Sequence, residues 1–311
     1  MGSFSPTPPF REHQPDRANS GIAPEYLPTN AGYNPPPAPV RRRRPSWSYA
    51  PATYALVGIN CLVFLAMTLH HVSMGSPTAD QLLYWGADNT GAVLMLGQWW
   101  RIVTAMFVHV GILHLATNMW CLWNLGLLAE PLMGSMGVLA VYILTGAAGN
   151  LLSTCVNWFW FNQDWVKYHA EWVSRHMAGT LDPMIVFPVG AGASGAVFGI
   201  AGALIILLKS ERLPVPPIEL KRLRKSVIYF AALNLVLGLS ISFGTRVIGS
   251  GLNIDNMAHV GGFTCGLLFA APMVPRLGSA RKTFVGRLRL SVGIVVGLLV
   301  LFGFYLAKLA G

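Results

Sequence analysis

FPVGAGASGAVFGIAGALIILLK, residues 187–209, sets Ser194 between glycines at the mouth of an apolar run long enough to cross a bilayer. A serine among small residues ordinarily serves only packing, so its meaning depends on what other apolar runs bring to the same depth. Two of them carry polar side chains of the right kinds. His259 lies near the start of one span, and His114 and Asn118 lie one helical turn apart on another. A candidate nucleophile, a candidate base and two hydrogen-bond donors thus sit on three different membrane helices.

Composition places these runs in a membrane. Of 311 residues 53% are hydrophobic and 11% charged, with a mean hydropathy of +0.51, where a soluble domain carries about 25% charged residues. The net charge of +10 comes from Lys and Arg clustered between apolar spans, the distribution of a topology signal, and it excludes nucleic acid as a partner class. Cys61, Cys121, Cys155 and Cys265 all fall within apolar spans and form no ligand spacing. No metal and no organic cofactor is expected.

The fold class that follows is all-α, a polytopic membrane helical bundle. Seven spans of about 20 residues are expected, at roughly 52–70, 104–127, 137–157, 190–208, 226–243, 255–273 and 290–309. Three parts are expected along the chain. Residues 1–45 hold 11 of the 21 prolines and almost no aliphatic residues, and read as a disordered cytoplasmic segment without the apolar core of a signal peptide. Residues 46–275 carry six spans, and 276–311 form a basic linker and a seventh span.

Arg41–Arg44, the stretch KSERLPVPPIELKRLRK (209–225) and the stretch RLGSARKTFVGRLR (276–289) flank one set of span ends. The other set has only Arg101, Lys167, Arg175, Arg246 and Lys308. The positive-inside rule then places the N-terminus in the cytoplasm, the C-terminus outside, and the outer connections at about 70–104 and 158–185. The first holds Trp85, Trp99 and Trp100, and the second is dense in Trp, Phe and Tyr; both read as interfacial anchors.

With that orientation, span four and span six both run inward from the outer face. Ser194, about four residues into its span, and His259 fall at a similar depth. Gly195 and Gly199 form a GxxxG, and His259, Gly262 and Gly266 share one helical face, so the two backbones can approach closely enough for a short serine side chain to reach a base. His114 and Asn118 enter from the same side and can donate to charge developing on a carbonyl oxygen, with the Ser194 N–H as a further donor. Polar groups in hydrocarbon are expensive, and one packing role does not account for all four.

These residues resemble the rhomboid intramembrane serine proteases over about 52–273. The resemblance rests on Trp100-Arg101, on His109, His114 and Asn118, on GASG at 192–195 and on AHVGGFTCG at 258–266, with Glu130 matching a glutamate near the inner end of its helix. It implies a six-helix core with Ser194 as nucleophile, His259 as base, and His114 and Asn118 as oxyanion-hole donors. It also implies a Ser/His dyad without an aspartate and single-span transmembrane proteins in the lipid bilayer as substrates. Phe198 holds a place where some relatives have a tyrosine, so it can stack on the base without hydrogen-bonding. The first 45 residues, the 158–185 segment and span seven lie outside the core. Two other readings remain from the residues alone: a catalytically silent membrane chaperone or adaptor of the same fold, and a transporter, which would string ionisable groups across the whole bilayer.

Overall fold

The computed structural model describes residues 49–160, 187–210, 213, 215–248, 255–274 and 280–310, without the side chains of 237–248. All of them fall in one compact unit, Pro45–Gly311. The expectations for residues 1–45, and for the aromatic outer segment beyond Trp160, lie outside the described residues.

The architecture is a helical bundle. Its elements in order are α1 (Pro51–Leu69), α2 (Ala79–Tyr84), β1 (Asp88–Asn89), α3 (Thr90–Leu94), α4 (Arg101–Thr104), a 3-10 turn at Ala105–Phe107, α5 (Ile112–Trp160), β2 (Val189–Gly190), α6 (Ser194–Leu207), α7 (Pro217–Ile248), α8 (Asn256–Ala270) and α9 (Arg281–Ala310). By length and composition α1, α5 and α9 are long and apolar enough to cross a membrane, and α6 is a shorter apolar helix. Each of the seven expected spans falls on a helix, two of them on α5. That helix breaks at Gly134, whose φ of 72° suits a residue without a β-carbon, three residues after Pro131, which cannot donate to the helical ladder.

Two boundaries differ from the sequence reading. The second span begins at Ile112, not at 104, because residues 101–107 form separate short turns and Gly111 breaks the chain at φ 152°. The fourth begins at Ser194, not at 190: Gly190 and Val189 pair antiparallel with Asp88 and Asn89, and Gly192 turns the chain at φ 127°. Ser194 is therefore the first residue of its helix. At 1.5 Å per residue the 14 residues of α6 reach only about 20 Å, short of a ~30 Å hydrocarbon layer.

Buried polar contacts fix the helices around this short one. Glu130 caps the start of α1, accepting from the Ala52 and Thr53 amides at 2.9 Å each and from the Thr53 and Ser135 hydroxyls at 2.7 and 2.6 Å. Pro51 opens that helix where no amide is needed. Asn60 donates to the Tyr142 hydroxyl at 3.0 Å, and Tyr142 donates to the Met106 carbonyl, tying α1, α5 and the 3-10 turn together. Arg101, expected as an exposed outer charge, is buried: its Nη1 donates to the carbonyls of Leu83 and Ala87 at 2.7 and 2.8 Å, and its guanidinium lies 4.5 Å from the Trp100 ring centre. Its fixed fork of donors suits two carbonyls at once.

The centre of the bundle is α5, α6 and α8 packed backbone to backbone. A β-carbon on Gly262 would run into the carbonyl of Gly195, one on Gly266 into that of Gly199, and one on Gly202 into that of Phe263. Gly266→Val is therefore expected to lower the thermal midpoint of the detergent-solubilised protein by several degrees, an overpacking cost of about 1–3 kcal/mol or more. Gly286→Ala on α9, where a β-carbon meets nothing within 4 Å, should leave the midpoint unchanged or slightly higher. Equal midpoints for the two variants would remove close approach as the reason for the glycines.

Candidate active site

The close approach of α6 and α8 brings Ser194 and His259 together. Ser194 Oγ and His259 Nε2 are 2.8 Å apart, hydrogen-bond distance, from helices 65 residues apart in sequence. His259 is buried and its ring stacks on Phe198, centroids 4.4 Å apart and planes within 11°. Phe198 lies one turn beyond Ser194 on α6, so the helix that carries the serine also supplies the surface on which His259 stacks. His259 Nδ1 is buried without a hydrogen-bond partner among the described residues, so no carboxylate orients the ring there. Ser194 and His259 form a hydrogen-bonded pair, and an aromatic ring packs on His259 where a third polar side chain could have stood.

The start of α6 faces α5. Gly192 presses against the His114 ring, where a β-carbon would come within 2.5 Å of Cε1 and 3.0 Å of Nε2. Both its positive φ and this contact require glycine. Asn118, buried one turn further on, donates from Nδ2 to the His114 carbonyl at 2.9 Å, which uses one of its two amide hydrogens. The His114 ring thus lies against the residue two before Ser194, with Asn118 bonded to the His114 carbonyl. The first amides of any helix lack intrahelical partners, so Ser194 sits among unused donors at the positive end of a helix dipole.

His109 was singled out in sequence only through a motif, and the structure gives it a definite task. It is fully buried, its Nδ1 is 3.3 Å from the Phe107 carbonyl, and its Nε2 accepts from the Ala193 amide at 3.4 Å. With Gly192 N–H donating to the Ala105 carbonyl at 2.9 Å, the loop before α5 holds the two residues just before Ser194. Other positioning contacts carried no sequence signal. Asn89 Nδ2 donates to the Phe187 carbonyl at 2.9 Å, and Asn150 Nδ2 to that of Ile102 at 2.8 Å. At the head of α8, Asp255 accepts from the Ala258 amide at 3.0 Å and so caps the helix one turn before His259.

A half-buried serine hydrogen-bonded to a buried imidazole at the head of a helix is an arrangement suited to attack on a carbonyl. Comparisons with known proteins indicate the family. A family model described as the Rhomboid domain matches residues 96–276. The chain is 30% identical over 220 residues to the rhomboid protease AarA of Providencia stuartii, covering 70% of each. It is 29% identical over 248 residues to the rhomboid protease GluP of Bacillus subtilis, 79% of this chain and 39% of that protein. It is 28% identical over 192 residues to RHOMBOID-like protein 7 of Arabidopsis thaliana, 62% of this chain and 48% of that one. The chain thus matches less than half the length of the Bacillus and Arabidopsis proteins.

Proposed function

The chain belongs to the rhomboid family, and from that membership we propose that it is an intramembrane serine endopeptidase. The observation that carries the proposal is the 2.8 Å contact between Ser194 Oγ and His259 Nε2 beneath the outer loop. His259 Nε2 takes the hydroxyl proton as Ser194 Oγ bonds to the scissile carbonyl carbon, and the carbonyl oxygen becomes an oxyanion. The Ser194 N–H and the side chains of His114 and Asn118 donate to that oxygen. The imidazolium returns the proton to the leaving amine, the C–N bond breaks, and an acyl-enzyme remains. A water molecule entering from the outer side gives a proton to His259 as its oxygen bonds to the acyl carbon; the ester C–O bond then breaks, and the imidazolium returns that proton to Ser194 Oγ.

The serine's place at the head of a short helix sets the substrate class. An intact transmembrane helix hides each carbonyl in an i to i−4 hydrogen bond, so the segment must unwind before attack. Substrates are therefore single-span proteins whose outer helix end carries Gly, Pro or small polar residues, which unwind at lower cost. The N-terminus lies in the cytoplasm and the site opens to the opposite side, the orientation given by the basic stretches at 41–44, 209–225 and 276–289.

The test compares a model single-span substrate bearing Gly and Pro near its outer end with one in which they are replaced by Leu. Mass spectrometry of the products should place the cut near the outer boundary and show the Leu version cut at least about tenfold more slowly, the effect of roughly 1.4 kcal/mol of added unwinding cost. Equal rates, or a cut at the cytoplasmic end, would overturn the unwinding argument and the orientation respectively.

A further inference from the structure

A pair of acids that the dyad does not use sits where the two chain segments entering the site meet. Asp88, in β1, is 4% exposed. Its Oδ2 accepts from the Thr154 hydroxyl at 3.3 Å, and its Oδ1 is buried without a hydrogen-bond partner among the described residues. Gly190 of β2 lies opposite Asp88 in the strand pair. A β-carbon on Gly190 would be 3.5 Å from Asp255 Oδ2, 3.6 Å from Asp88 Cβ and 4.0 Å from Asp88 Oδ2. Both carboxyl groups therefore border the space that a side chain at position 190 would fill. Gly190 stands four residues before Ser194, and Asp255 four before His259.

A buried carboxyl group with an unpartnered oxygen and a second acid on the far side of a glycine ionises only at a cost, so its neutral form is favoured. We propose that Asp88 keeps a proton beside Asp255, and that Asp88 is a positioning residue whose protonated form holds the β2 entry to the serine against the capped entry to the base. Asp255 keeps partial exposure, so the proton exchanges with the outer side. The other groups facing the pair are Arg101 from α4, too far for more than a weak charge effect, and the hydroxyls of Ser153 and Thr154 from α5; β2 contributes only backbone.

Burial, and after it the charge of Asp255, push the Asp88 carboxyl from its ordinary 3.8 up to about 7, against smaller opposing effects from Thr154, the Asn89 backbone and Arg101. The folded protein then keeps a proton that the unfolded chain releases near 3.8. The stabilisation is whole below that value, declines as the pH rises towards about 7, and is gone above it. His259 works in the opposite sense, since a base must be neutral. The activity profile therefore has an acid limb from the histidine and an alkaline limb from Asp88.

The inference rests on the protease reading in its activity arm only. In wild type, kcat/KM for a model substrate should fall several-fold as the pH rises from about 6.5 to about 8.5. Asp88→Asn, whose amide stands in for the protonated acid, should flatten that limb. Asp255→Asn should move the limb to lower pH while keeping the helix cap, since the neighbouring charge is gone and Asn caps as well as Asp. A wild type without the limb, or an Asp88→Asn variant that retains it, overturns the proposal. The second arm needs no substrate: the thermal midpoint should fall with rising pH over the range about 5 to 7 in wild type and stay level in Asp88→Asn. Parallel midpoints in the two proteins overturn the proposal whatever the protein cleaves, while a missing cleavage activity with divergent midpoints overturns only the protease reading.

Discussion

Ser194→Ala is expected to remain folded and membrane-inserted while losing cleavage by at least about 10⁴-fold, the order of loss that removing the nucleophile of a serine hydrolase produces. The alanine methyl fits the same space at the head of α6, and the backbone contacts of Gly192, Gly195 and Gly199 are untouched, so the bundle has no reason to loosen. Labelling by a fluorophosphonate should disappear with the activity, because both reactions need the same oxygen activated by His259 at 2.8 Å. An unchanged thermal midpoint shows that the loss is chemical. A variant that still cleaves at more than a few per cent of the wild-type rate places the nucleophile elsewhere.

Asn118→Ala should lower kcat by about 10²–10³-fold with KM nearly unchanged, the signature of a donor that meets its partner only in the transition state. In the resting structure the Asn118 amide spends one hydrogen on the His114 carbonyl, within its own helix, so a second remains for a developing oxyanion. Asn118→Gln should not restore the rate, since a longer side chain from the same position carries its amide past the oxygen. Steady-state kinetics on a purified substrate decide the matter: a rise in KM with kcat unchanged would assign Asn118 to substrate binding or packing.

How much of this was legible in the sequence depends on how far each partner lies along the chain. Hydropathy revealed the helical bundle, because spanning hydrocarbon demands long apolar runs, and the Gly195/Gly199 and Gly262/Gly266 spacings foretold a close helix crossing without any knowledge of the partner atoms. The Ser194–His259 meeting followed from the same glycines. The late start of α6 was not legible, because residues 190–193 are as apolar as those after them; only pairing with Asp88 and Asn89, a hundred residues earlier, removes them from the helix. Arg101 read as a surface charge because its partners are carbonyls, which every residue has. Asp88 and Asp255 stood too far apart to suggest one another, and a carboxyl group in an outer loop carries no mark of burial. The grip of Glu130 on the start of α1 was hidden for the same reason, its partners being amides some 78 residues away.

The crossing of α6 and α8 also bears on how this protein tolerates a changing bilayer. Where two main chains touch directly, there are no rotamers to redistribute and little volume to compress. A thinner or more fluid bilayer is accommodated instead where bulky side chains meet lipid, on the outward faces of α7 and α9 with Tyr229, Leu233, Leu301 and Phe304. On the proposed reading, cleavage of a model substrate should therefore change little with acyl-chain length in reconstituted vesicles, because the Ser194–His259 spacing is set by main-chain contact and not by the lipid-facing side chains.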